Sequence, residues 1–219
     1  MTPEKISAKI LATPMSHPLK HATIAPFRRP GSWEFEGGLR EQAVRALELA
    51  EQVSVDLRKE WEAARARQLA GDKAAGRLVS RERIVERNLF TTAAVVLSAM
   101  AAEAFLNFYG VKRMGQEFYE GHYERLGFVP KLTGIIEMCC GVRLDDDAEI
   151  ISVARVLSEA RNRLAHPKTK EGGSAARSSQ VGPIRHPLDV ARESVAHMNQ
   201  FFQLFASFDP DSSDIVHAI

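Results

Sequence analysis

Only two cysteines occur among the 219 residues, and they are neighbours, Cys139 and Cys140. Adjacent cysteines bridge poorly, and two sulfurs without nearby histidines make a poor zinc site. The pair reads as two half-buried thiols on a helix. The lack of a disulfide framework points to a reducing compartment, the cytoplasm. A signal peptide is not expected either, because Lys9, Pro14, His17 and Pro18 interrupt the apolar stretch one would need. Charge of one sign is scarce: the formal net charge is +1. That excludes a polycation, so nucleic-acid contact would need a local basic patch. No alternating apolar–polar run of strand length is found, which excludes an appreciable sheet. Internal repeats, a glycine-rich phosphate loop, a metal-ligand cluster and a nucleophile elbow are absent as well. Neither a cofactor nor a metal is therefore expected.

What is present is material for a core. Hydrophobic residues make up 45% and charged residues 26% of the chain, which is not the composition of a disordered polymer. Residues 1–38 read as an extended arm, broken by Pro3, Pro14, Pro18, Pro26 and Pro30 and by Gly31, Gly37 and Gly38. Trp33 and Phe35 are expected to dock the arm on the body. Residues 39–79 hold a helix and a connector. In that helix Ala43, Leu47, Ala50, Val53, Leu57, Trp61 and Ala64 recur at spacings of three and four. A bundle over 80–209 follows, opened by Ser80 as an N-cap before Arg81, Glu82 and Arg83. Residues 210–219 form a tail.

The stretch Leu89–Tyr109 is apolar on nearly every face and long enough to suggest a membrane span. Glu103 and Asn107 would sit in lipid at a cost of several kcal/mol, so a central helix wrapped by neighbours is the better reading. Shorter helices are expected over 116–125 and 129–140, with Gly127 and Gly141 as stops. Another runs to Ala165 with Ile150, Val153, Leu157, Ala160 and Leu164 on one face, ended by Pro167. A last helix from Pro187 to Phe208 buries Val190, Val195, Met198, Phe201, Phe202 and Phe205.

The segment Ser158-Glu-Ala-Arg-Asn-Arg-Leu-Ala-His-Pro167 holds the most chemistry. Arg161 and His166 stand at the close of a helix, Asn162 follows the arginine and Pro167 follows the histidine. Spacing alone decides nothing, since Arg192 and His197 repeat it inside another helix. Context adds more. Between Arg161 and Arg185 six basic residues face Glu171 alone, a local excess of +5 suited to phosphate. Arg163, Lys168 and Lys170 are the RNA-contacting candidates within that run. A solvated basic loop is the plain alternative.

Arg161-Asn162 followed by His166 resembles the HEPN motif: an arginine, a polar residue, a few more positions and a histidine, late in a helical bundle. The helix AAEAFLNFYG, with Glu103 and Asn107, resembles that family's helix carrying a glutamate and an asparagine among apolar residues. The likeness covers roughly residues 80–208 and leaves out the arm and the first long helix. It implies an all-α antiparallel bundle of HEPN type, here with an extra N-terminal helix and arm. It further implies a homodimer with RNA across two copies of the motif, and metal-independent endoribonuclease activity in a bacterial toxin or defence effector held by an antitoxin or regulatory partner. Arg161, Asn162 and His166 would be catalytic, with Glu103 and Asn107 supporting them; a carboxylate in so apolar a helix needs a cationic partner, and the family pattern suggests Arg161 for Glu103.

The chemistry suits these residue types, because RNA supplies its own 2′-hydroxyl nucleophile. His166 can move a proton near neutrality, and Arg161 can grip phosphate at two points. The same residues permit two quieter readings. One is a non-catalytic module for dimerisation or for nucleotide or RNA binding. The other is a coiled-coil-like adaptor built on residues 39–70, for which strong seam residues are few.

Overall fold

The computed structural model describes residues 32–72, 79–165 and 186–209, with side chains from residue 38 onward except that of Ala165. Among these residues the chain is all α, with six helices and no strand. They are α1 (Ser32–Leu69), α2 (Arg81–Met114), α3 (Gln116–His122), α4 (Phe128–Cys140), α5 (Glu149–Ala165) and α6 (Pro187–Phe208). The first helix starts at Ser32 rather than Leu39 and runs through Gly37 and Gly38. Each interior glycine costs a helix about 1 kcal/mol, a penalty the long packed continuation can carry.

Helix α2 is the axis of the molecule and packs against each of the other five. Its start is set by the Ser80 hydroxyl, which accepts from the Arg83 amide at 3.3 Å. Small residues allow the close approach of α1. Ala43, Ala46, Ala50 and Ala64 on α1 are buried, as are Ala94, Ala101 and Ala102 on α2. The periodic face of α1 departs from expectation at one place: Trp61 is 63% exposed. Ala64, seven positions beyond Leu57, takes the next place in the narrow seam, and the bulkier indole lies outside it.

On its other side α2 meets α6 in an aromatic core. The rings of Phe105 and Phe205 cross edge to face with centroids 5.0 Å apart, and Tyr109 and Phe205 do so at 4.8 Å. The end of α6 is tied there by polar contacts. The Tyr109 hydroxyl donates to Asp209 Oδ2 at 2.6 Å, and Arg113 Nη2 pairs with the same oxygen at 2.8 Å. Burial, then the Asp209 contact, pushes the Tyr109 phenol well above its ordinary range. Beside it, burial pushes the Cys139 thiol up to about 12, which leaves no reactive thiolate near neutrality.

Two glycines allow helices α3 and α4 to close on their neighbours. A Cβ on Gly110 would lie 2.7 Å from two ring carbons of Tyr119, and one on Gly134 would lie 2.6 Å from the Tyr123 ring. Helix α3 stops at His122, earlier than expected, while Gly127 serves as the N-cap of α4 and Gly141 closes it in the left-handed conformation. On α5 the residues Ile150, Val153 and Leu157 are buried, but Leu164 is 42% exposed, because the last turn leaves the core.

By length and composition α2 is apolar enough to cross a membrane, with a window of mean hydropathy 1.8. Half of that window is buried against the other helices.

Candidate active site at the α2–α5 crossing

The last turns of α5 carry Arg161 onto the face of α2 that holds Glu103 and Asn107. Both polar residues of α2 are half-buried and stand one turn apart. A carboxylate among apolar neighbours needs a cation, and Arg161 supplies it: Nη1 pairs with Glu103 Oε2. The side chains keep 29% and 25% of their surface in water, so the guanidinium remains reachable from outside. Arg161 Nε and Nη2 both lie 3.4 Å from Asn162 Oδ1, a long contact that steadies the plane of the group. Asn162 and Arg163 are exposed.

Asn107 is not a partner of Arg161. Its amide oxygen accepts from the Tyr119 hydroxyl at 2.6 Å and from Lys131 Nζ at 2.7 Å. Lys131 is the residue that sequence reasoning missed. It is 2% exposed, on the same stripe of α4 as Phe128, Leu132, Ile135 and Ile136. A lysine at an apolar-stripe position was the available signal. Desolvation lowers its pKa; the charges of Glu103 and Glu124 oppose that, and the charge of Arg161 adds to it. Burial, followed by the charges of Glu124 and Glu103, pushes the Tyr119 phenol up to about 12, so it stays a proton donor to Asn107.

The result is a pair of cations, Arg161 and Lys131, held around one carboxylate and one amide oxygen. Of the two, Lys131 is buried on Asn107, and the partly exposed Arg161 guanidinium is the one that can bind an anionic oxygen and oppose charge developing on it. His166, Lys168 and Lys170 lie outside the described residues, as do the docking side chains Trp33 and Phe35. The structure thus brings Arg161, Asn162 and Glu103 together, and it links Asn107 to the site through Lys131. Among the described residues no three His, Cys, Asp or Glu side chains gather into a group able to hold a metal ion. Comparison of the chain with protein-family models, curated proteins and solved structures finds no match.

Proposed function

We propose that this protein is a metal-independent endoribonuclease built as a HEPN-like bundle, working in the cytoplasm as a bacterial toxin or defence effector. The observation that carries the reading is the Arg161–Glu103 pair. It holds a partly exposed guanidinium at the end of α5, five positions before His166. In the proposed reaction the 2′-oxygen forms a bond to phosphorus while the bond from phosphorus to the 5′-oxygen breaks. His166 takes the proton of the 2′-hydroxyl or, in the partner copy, returns one to the departing 5′-oxygen. Arg161 holds the non-bridging oxygens, and the products are a 2′,3′-cyclic phosphate and a free 5′-hydroxyl.

A homodimer fits the surface around the pair. Met100, one turn from Glu103, and Leu164, one turn from Arg161, are 39% and 42% exposed. A second copy would cover this apolar rim and add a second Arg161 and His166 to the cleft. The same rim favours the runner-up reading, a non-catalytic module in which the ion pair only fixes a dimerisation face.

The deciding experiment is cleavage of single-stranded RNA in excess EDTA, with product ends analysed. DNA should survive, since it lacks the 2′-hydroxyl. His166→Ala should lose on the order of a hundredfold in rate, and Arg161→Lys should fail for want of a planar grip. Equal rates for His166→Ala and wild type would end the ribonuclease reading. RNA binding without cleavage would leave the module.

A further inference from the structure

Away from the Arg161 site, the geometry points to a second binding site, for a nucleotide, in the cleft between α1, the start of α2 and the start of α6. The cleft has a volume of about 420 Å³, within the range of roughly 300–1,000 Å³ typical of small-molecule sites. Leu57, Ile84 and Leu188 contribute its apolar lining. Trp61, Arg58, Arg87 and His186 stand around it.

Each of these side chains offers something a nucleotide uses. The Trp61 indole is 63% exposed at the cleft wall, although the helical period of α1 predicts its burial. An open indole is a stacking face for a base. Among the described residues no carboxylate pairs with Arg58, and Arg87 donates only to the amide oxygen of its neighbour Asn88, at 3.3 and 3.0 Å. Three carboxylates of α1, Asp56, Glu60 and Glu51, are already engaged by other arginines. Arg83 holds Asp56 at 3.7 Å and Glu60 at 3.1 Å, and Arg192 holds Glu51 at 2.7 Å. Two guanidiniums without an ion-pair partner among the described residues therefore line one concave surface, as phosphate recognition requires. His186 Nδ1 accepts from the Leu188 amide at 3.3 Å, so the neutral ring carries its proton on Nε2 as a further donor. The positive end of the α6 dipole adds to the field. An apolar ligand would leave the guanidiniums unused, and a bare anion would leave the indole unused. A base with its phosphate uses both.

That chemistry has two sources, a free nucleotide and a nucleotide within an RNA chain. The site rests on residues separate from Arg161 and does not depend on the ribonuclease reading. The test uses the full chain carrying Trp33→Phe, so that Trp61 is the only tryptophan. Its fluorescence is titrated with AMP, ATP, adenosine, inorganic phosphate and an eight-residue oligoadenylate. AMP should quench it in a salt-sensitive way and bind at least tenfold more tightly than adenosine or phosphate alone. By calorimetry, Trp61→Ala should weaken AMP about five- to hundredfold, the range of a lost stacking partner. Arg58→Gln with Arg87→Gln should weaken it comparably and flatten the salt dependence. Both variants should melt as wild type, and Trp61→Ala, at an exposed position, decides the matter if the paired arginine variant does not fold. Oligoadenylate binding at least tenfold tighter than AMP or ATP identifies RNA as the source; equal or weaker binding identifies the free nucleotide. The proposal falls if none of the nucleotides binds at millimolar concentration, if phosphate binds as tightly as AMP, or if Trp61→Ala leaves affinity unchanged.

Discussion

Replacing Glu103 by glutamine removes one charge while leaving an amide oxygen able to accept from Arg161. It therefore isolates the electrostatic part of the site. Breaking a fully buried ion pair costs about 3–5 kcal/mol, whereas an exposed pair is worth about 0–1 kcal/mol. With Glu103 and Arg161 at 25% and 29% exposure, an intermediate loss of about 1–2 kcal/mol is expected. Lys131 adds to that loss, since the Glu103 charge supports its protonated form. For a chain of this size each kcal/mol moves the melting temperature by about 2–4 °C. Glu103→Gln should thus melt roughly 2–8 °C lower, while Glu120→Gln, at an exposed position, should melt unchanged. A double-mutant cycle with Arg161→Gln should return a coupling above about 0.5 kcal/mol, measured by urea unfolding at low and high salt. An unchanged melt together with zero coupling would show that Glu103 does not hold Arg161, and the account of the site would fail with it.

Gly110→Ala should cost about 1–3 kcal/mol, because its Cβ would meet the Tyr119 ring at 2.7 Å; urea unfolding measures this, and a neutral result would mean the α2–α3 contact is loose. Tyr119 has a pKa raised to about 12 from 10.0, so the folded state holds its proton longer than the unfolded chain. Stability should be full below about pH 10 and fall as pH rises toward 12. Tyr119→Phe should make that decline shallower without abolishing it, since Tyr109 is shifted the same way. His197 Nδ1 is buried with no hydrogen-bond partner. His197→Leu should therefore melt at or above wild type, and RNA cleavage should be unaffected; lost cleavage would place His197 in the site instead of Arg161's neighbourhood.

The fold class was legible because patterns at the helical period are long and consistent. Ser80, Gly141 and Pro187 mark helix ends by local chemistry, and the structure uses each of them. The aromatic core was legible for the same reason: Phe201, Phe202 and Phe205 fall on one face of α6. Trp61 and Leu164 were misread because periodicity says which face turns inward and not how far the neighbouring helices extend. Lys131 was missed by the opposite error. A lone cation inside an apolar stripe averages away in a pattern of faces, yet its partner Asn107 lies 24 positions earlier, and only tertiary structure brings the two together. The Arg161–Glu103 pair spans 58 positions. It was legible only because an unpaired carboxylate in an apolar helix is costly enough to demand a partner, and a resemblance suggested which one.

The two regions singled out share α2 as their support, which makes their independence testable. Arg87 and Glu103 are sixteen positions apart on that helix. At 1.5 Å and 100° per residue this is about 24 Å along the axis and about 160° around it. Ligands at the two places would therefore approach from opposite sides, through different neighbours: α1 and the start of α6 at one, α5 and α4 at the other. Substitutions so far apart with no shared partner should add within about 0.5 kcal/mol. Trp61→Ala combined with Arg161→Lys should show the AMP affinity of the first variant and the cleavage rate of the second. If Trp61→Ala alone slows RNA cleavage at saturating RNA, the two regions communicate through α2. The rigid seam of alanines between α1 and α2 would then be the first place to look for the coupling.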